Sequence, residues 1–282
     1  MDTLTALQGF LITKTAENYS PTTLTLYEFQ LERLAERLDN PEIDTITLFD
    51  LRNFMVWLKN DYTYHGKNIS NKTLYNNWIA LRSFFSWAME EELINENPAQ
   101  RLNAPDFKSP PPNPYSEEEV RAILKACSHN KKTVRNRNRA MILLLVDTGV
   151  RSSELLGIYM RHLELERQRI LIEHGKGHKS RHVWFGAAAR RYLWRYLAER
   201  DEGPGPVFLS EHHGGLSNQG LDDLLQRLGD RVGVDQCNAH RFRHTFAVNF
   251  IRNGGNTLAL QAALGHESLD MVKRYVRLTE AD

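Results

Sequence analysis

Cysteine is nearly absent from this chain of 282 residues, with Cys127 and Cys237 the only two. That excludes a disulfide framework and a cysteine-ligated zinc site, and both residues read as reduced thiols of a cytoplasmic protein. No apolar run approaches the ~20 residues of a membrane span. The start, Met1-Asp2-Thr3-Leu4, lacks a basic segment followed by an apolar stretch, so no secretory signal is expected. Clustered aspartates and glutamates of the kind two-metal nucleases use are missing as well. Net charge is also scarce. The formal value of +1 does not by itself announce a nucleic-acid binder. It hides an asymmetry, however: residues 1–103 carry 9 Lys/Arg against 14 Asp/Glu, and the remainder carries 27 against 21. If DNA is the partner, its basic groups must be gathered on one face.

Proline is sparse except in one place. Five of the ten prolines lie at 105, 110, 111, 112 and 114. Such a stretch lacks backbone donors and favours an extended, semi-rigid connection, so residues 103–115 are expected to link two domains, 1–102 and 116–282. A hydrophobic content of 41% with 25% charged residues is ordinary for globular domains, and the length allows one large or two modest ones.

The N-terminal part reads as an all-α bundle of four or five helices. Residues 4–13 are expected to be helical. Ser20-Pro21 is a strong helix start, followed by a stripe of Leu24, Tyr27, Leu31, Leu34 and Leu38. Thr47 to Asp50 resembles a capping box opening a helix through Phe54, Met55 and Leu58. Ser70 caps a long helix through Trp78, Leu81, Phe85 and Met89 to about Glu92, with its aromatics expected in the core. Past the proline stretch, Ser116-Glu117-Glu118-Glu119 opens a helix to about Ala126. A second helix spans Arg135 to Asp147, stopped by Gly149, and a short one through Leu156 is capped by Ser152 or Ser153. Ile170–Ile172 and Val183–Phe185 are expected to be strands flanking a glycine-bounded loop at Gly175-Lys176-Gly177. Further expectations are a helix over 187–200, a short strand at Val207–Leu209, and helices over 217–232, 240–253, 257–264 and 269–277.

Several residues of this second half suit phosphate chemistry: Arg151 at a helix junction, Lys176 on the loop, His240 and Arg243 one helical turn apart, His266 after Gly265, and Tyr275. Singly they are weak signals. With 11 His and 25 Arg in the chain, a His-x-x-Arg pair is expected about once by chance, and a second copy occurs at His178 to Arg181. Their combination and order are specific. Through Arg151, Lys176, His240 with Arg243, His266 and Tyr275, nine residues past His266, the sequence resembles the tyrosine recombinase (phage integrase) family in its compact two-domain form.

The chemistry of each residue agrees with that resemblance. Arg151 and Arg243 can offer paired N–H donors to non-bridging phosphate oxygens as charge grows in the transition state. His240 and His266 can hydrogen-bond the phosphate, and His240 can take the tyrosine proton. Lys176 can protonate the departing 5′-oxygen, with Lys179 a competitor on the same loop. Glu154 is expected to orient the arginines. Tyr275 is the expected nucleophile, and with a free phenol pKa of ~10 it needs a base and neighbouring positive charge. Ser268 is expected to cap the helix carrying it.

The resemblance implies a mainly α fold with a small antiparallel sheet: an N-terminal helical, SAM-like core-binding domain and a C-terminal α+β catalytic domain. It implies site-specific cutting and rejoining of double-stranded DNA through a 3′-phosphotyrosyl intermediate, without metal, ATP or other cofactor, by a homotetramer on DNA. Only seven residues follow Tyr275, fewer than the tail family members commonly carry. Type IB topoisomerase-like relaxation, or a non-catalytic DNA-binding protein on the same scaffold, are the alternatives.

Overall fold

The computed structural model describes residues 1–108, 110–128, 131–173, 180–200, 203–211, 214–265 and 270–279. The chain divides into two compact units, Met1–Pro110 and Pro111–Asp282, so the division falls inside the proline-rich stretch.

The first unit is built from α1 (Thr3–Ala16), α2 (Pro21–Arg37), α3 (Leu48–Asn60), a small hairpin of β1 (Thr63–Tyr64) and β2 (Lys67–Asn68), and α4 (Asn71–Glu90). Local chemistry sets the helix starts. Ser20 Oγ accepts from the Thr23 amide with Pro21 at the first helical position, and Thr47 and Asp50 exchange side chain-to-amide bonds. Ser70 caps α4 through the Thr73 amide. The apolar faces then meet: Leu7 and Phe10, Leu31 and Leu34, Leu51, Phe54 and Leu58, and Leu81, Phe84 and Phe85 are buried in one core. Phe10 lies edge-on to Phe84 with centroids 5.5 Å apart.

Two expectations for this unit need correction. Trp78 is only half-buried, whereas Phe84 and Trp87 carry the α4 core stripe. The indole of Trp78 is held at the edge because its N–H donates to Leu102 O at 2.8 Å. The expected all-α bundle also holds a small hairpin between α3 and α4, turned at His65 (φ 49°) and Gly66 (φ 72°).

The second unit begins with α5 (Glu117–Ala126), capped by the reciprocal Ser116–Glu119 pair, and α6 (Lys132–Thr148). Helix α6 starts three residues earlier than the sequence suggests and runs through the buried Met141–Leu145 segment. Gly149 ends it in the left-handed region at φ 59°, and a Cβ there would sit 2.5 Å from the Phe246 ring, so only glycine fits. The short α7 (Ser152–Leu156) follows. Its N-cap is Arg151, not Ser152 or Ser153, because the Glu154 carboxylate reaches back to the Arg151 amide at 2.9 Å.

A three-stranded antiparallel sheet comes next, made of β3 (Leu163–Glu164), β4 (Arg169–Ile172) and β5 (Arg181–Trp184) in that order. Ile170 faces Val183 and Ile172 faces Arg181 in the β4–β5 register. The strands therefore flank the expected loop, with β3 added. Loop residues 174–179, including Lys176 and Lys179, lie outside the described residues.

Helix α8 (Ala187–Leu197) packs along α6, its leading Gly186 amide donating to Asp147 at 2.8 Å. The helix expected to reach residue 200 ends at Leu197. The short strand expected at Val207–Leu209 is absent among the described residues, and only isolated bridges, Tyr159 with Pro206 and Leu209 with Gly215, occur there. The unit closes with α9 (Asn218–Val232), α10 (Ala239–Arg252), α11 (Thr257–Leu264) and α12 (Asp270–Thr279). Ser268 lies outside the described residues.

Two apolar clusters hold the unit. The larger joins α5, α6, the sheet, α8 and α9 to the start of α10. A smaller one, made of Ala247, Val248, Leu260, Leu264, Val272 and Tyr275, fastens α11 and α12 to α10. Tyr275 is therefore placed by packing before any chemistry is considered.

A candidate phosphoryl-transfer site

The site forms where the ends of α6, α7, α10, α11 and β5 meet. Helix α10 alternates structural and polar duties along its first turns. Arg241 ties the helix to the segment that enters the unit: its guanidinium donates to Glu119, Asn113 O and Asp235 O and lies 4.0 Å over the Tyr115 ring. Thr245 accepts from the Tyr115 amide at 2.8 Å. His240, Arg243 and His244 occupy the other face.

Arg243 is 2% exposed. Its two terminal nitrogens donate to Gly149 O at 2.8 Å and Leu264 O at 2.7 Å, so it bridges the end of α6 to the end of α11. Burial, reinforced by the neighbouring charge of Arg151, pushes its pKa down to about 10. The group stays a cation at neutral pH. Arg151, two residues after Gly149, donates from Nη1 to Glu154 at 2.9 Å and from Nη2 to Gly265 O at 3.4 Å. Its side chain keeps 30% exposure, which leaves it able to meet a ligand.

Glu154 is the hub beneath these cations. Besides Arg151 it accepts a two-pronged contact from Arg181, at 2.9 and 2.8 Å, and its side chain is 6% exposed. Burial would raise its pKa, but the hydrogen bonds from Arg181 and the Arg151 amide, with the charges of both arginines, outweigh it and hold the carboxyl at about 2. The expected orienting role of Glu154 matches this geometry.

Arg181 is a residue that sequence reasoning passed over. It is the first residue of β5, five positions after Lys176 in the sequence, and its Nε donates to Ala263 O at 2.7 Å. Three arginines thus hold three successive carbonyls, Ala263, Leu264 and Gly265, at the C-terminal end of α11. Those carbonyls are the unpaired acceptors of a helix end and carry its negative partial charge. Gly265 caps the helix in the left-handed region at φ 63°, as its sequence position suggests. A Cβ on it would lie 3.1 Å from the Arg181 guanidinium. The only sequence signal for Arg181 was the His178-x-x-Arg181 copy, which looked like a chance repeat.

Tyr275 is 1% exposed, and its hydroxyl lies 2.9 Å from His244 Nδ1. Burial raises its pKa, while the charges of Arg243 and Arg274 act in the opposite direction. The His240 ring stands edge-on to the His244 ring with centroids 4.3 Å apart. The structure therefore brings Arg151, Arg243 and Tyr275 into one neighbourhood, with His240 reaching it through His244. The phenol oxygen of Tyr275 is hydrogen-bonded to His244. Lys176 and His266 lie outside the described residues. Among the described residues no group of three or more His, Cys, Asp or Glu could hold a metal ion, and no helix is long and apolar enough to cross a membrane.

Guanidinium groups fixed around a helix end, beside a tyrosine hydroxyl, make a site suited to a phosphate group. Residues 115–282 match the phage integrase family, and residues 7–92 match the N-terminal SAM-like domain of phage integrases. The chain belongs to the phage integrase family, the tyrosine-type site-specific recombinases. It is 31% identical over 274 residues to the tyrosine recombinase XerC of Listeria monocytogenes, covering 93% of this chain and 89% of that protein. Among solved structures it is similar to XerA recombinase (26% identity, TM-score 0.53, 97% and 93% of the two chains). It is similar also to XerH recombinase bound to its difH substrate in a pre-cleavage complex (25% identity, TM-score 0.72, 95% and 81%).

Proposed function

We propose that this chain cuts and rejoins double-stranded DNA at specific sites, with Tyr275 as nucleophile. The phenol oxygen attacks the scissile phosphorus, forming a 3′-phosphotyrosyl bond and releasing a 5′-hydroxyl. The 5′-hydroxyl of a partner strand then reverses the step. The phosphotyrosyl bond retains the energy of the phosphodiester, so the exchange needs no ATP. Arg151 and Arg243 stabilise the non-bridging oxygens. His240 and His266 complete the phosphate cradle, and Lys176 protonates the leaving 5′-oxygen, these roles resting on the resemblance of their positions. The first unit, 1–102, grips one side of the DNA, a linker spans 103–115, and the catalytic unit is 116–282. The enzyme works as a homotetramer on DNA, in the cytoplasm where chromosomal DNA lies.

One observation carries the reading. The Tyr275 hydroxyl shares a neighbourhood with two guanidinium groups anchored on the same helix end, the end that leads into His266. The test is a DNA substrate nicked beside the cleavage site, so that the released fragment is lost and the covalent intermediate accumulates. The natural chain should form a protein–DNA adduct that survives denaturation, and Tyr275→Phe should form none. An adduct persisting in Tyr275→Phe would remove the role assigned to Tyr275, and no adduct with any natural substrate would remove the function.

A further inference from the structure

We infer that His244 is a catalytic residue, the base that takes the Tyr275 proton as the phenol oxygen attacks phosphorus. The inference rests on the function proposed above and goes further, because the resemblance pointed to His240 for this task. The geometry is direct: Nδ1 of His244 and the Tyr275 oxygen are 2.9 Å apart, within the reach required of a general base. The donor must be the phenol if Nδ1 carries the lone pair, which fixes the imidazole as the tautomer protonated on Nε2.

The surroundings favour that neutral form. Burial lowers the His244 pKa to about 4, and His240 and Arg243 on the same helix and Arg274 on α12 act in the same sense. A base so depressed is weak while the site holds no anion. A phosphodiester seated against Arg151 and Arg243 adds a negative charge close by, which raises the basicity of His244 when the substrate is present. Tyr275 is then protected from adventitious ionisation in free protein.

The step balances. The phenolic proton moves to His244 Nδ1 while the tyrosine oxygen forms its bond to phosphorus. The bond from phosphorus to the 5′-oxygen breaks, and that oxygen keeps the electron pair and takes a proton from Lys176. In the reverse step the incoming 5′-hydroxyl attacks phosphorus and gives its proton to the now neutral Lys176, while the His244 imidazolium returns its proton to the departing tyrosine oxygen.

The informative variant is His244→Asn, whose Oδ1 can occupy the place of Nδ1. It can accept the same hydrogen bond but cannot hold the proton. Adduct formation is measured in single turnovers at saturating nicked DNA, beside DNA affinity and melting temperature. We expect affinity and melting to be kept while the rate falls ~10²–10³-fold, the scale of a lost general base. Replacing the 5′-bridging oxygen by sulfur gives a leaving group that needs no acid. That substrate should restore Lys176→Ala and leave His244→Asn slow. With 3,5-difluorotyrosine at position 275 the phenol ionises without help, and the natural and His244→Asn chains should cleave within about threefold of each other.

A rate for His244→Asn within about threefold of the natural chain would reduce His244 to a positioning partner and overturn the inference. Rescue of His244→Asn by the sulfur substrate would make it an acid, with the same consequence. So would a tenfold gap that persists with difluorotyrosine, which also serves if His244→Asn folds poorly, since it shows a defect unrelated to the proton. Failure of the natural chain to form any adduct, or an adduct in Tyr275→Phe, would instead sink the parent function.

Discussion

Replacing Glu154 by Gln should cost the catalytic unit about 3 kcal/mol at neutral pH, and that cost should fade in acid. Two routes give the figure. The carboxyl sits at about 2 in the folded chain against an ordinary 4.5. At ~1.36 kcal/mol for each pH unit, that gap is worth about 3 kcal/mol. Independently, removing one partner of a buried ion pair costs about 3–5 kcal/mol. The partial exposure of Arg151 (30%), against 12% for Arg181, points to the low end. The sign follows from a depressed carboxylate. Its contribution is complete above about pH 5 and is lost as pH falls through the folded value near 2, leaving about 1 kcal/mol at pH 3. Glutamine keeps the shape and loses the charge, so the difference between the two chains isolates this term. Cys127 and Cys237, the only cysteines, are both buried in the catalytic unit, and their reaction with a pyridyl disulfide reagent active in acid reports unfolding of that unit alone. Urea titrations read in this way at pH 7 and pH 3 test the argument. An equal deficit at both pH values would assign the loss to packing, and no deficit at pH 7 would refute the hub.

Arg181→Met should slow single-turnover adduct formation by about 10- to 100-fold at unchanged DNA affinity, since it lets the Arg151 and α11 end drift. In an Arg151→Ala background the same substitution should add little, and a full additional loss there would mean that Arg181 acts independently of Arg151. Arg243→Lys should lower the rate ~10²–10³-fold, because an ammonium cannot reproduce the planar bridge between Gly149 O and Leu264 O while facing a phosphate. Gly149→Ala should destabilise the catalytic unit by about 2 kcal/mol or more, from the left-handed backbone and the clash with Phe246, measured by the same thiol protection.

Much of this architecture is legible in the sequence because it is written in local chemistry. Ser20-Pro21, Thr47 with Asp50, and Ser116 with Glu119 each satisfy amides within four residues, so no knowledge of the fold is needed to place those helix starts. Gly149 and Gly265 announce helix ends for the same reason. The β1–β2 hairpin escaped because His65-Gly66 is a weaker turn signal than the usual asparagine- or aspartate-glycine pair. The helix-junction position of Arg151 was readable, yet its serving as N-cap was not. That depends on Glu154 being held against the Arg151 amide by its contacts with Arg151 and the distant Arg181. Arg181 and the contact of His244 are not legible in the sequence for a tertiary reason. Nothing near Arg181 in the chain shows that β5 delivers it to Glu154 and Ala263, residues 27 and 82 positions away. His244 gains its role only when α12 lays Tyr275 against it.

The arrangement of like charges carries the physical sense of the site. Arg151 and Arg181 share the Glu154 carboxylate, Arg243 feels its charge without touching it, and the end of α11 supplies roughly half an elementary negative charge more. Among the described residues positive charge is left over, and the lowered pKa of Arg243, driven by burial and the nearness of Arg151, is the trace of that frustration. A fold optimised only for stability would not keep three guanidinium groups against one another. The carbonyls of Ala263, Leu264 and Gly265 hold them in place without neutralising them, so they need no rearrangement when an anion arrives. The negative charge that completes the cluster is then one that develops on a phosphate during attack. Burial, helped by the charges of His240, Arg274 and Arg243, keeps His244 a weak base until that phosphate is present.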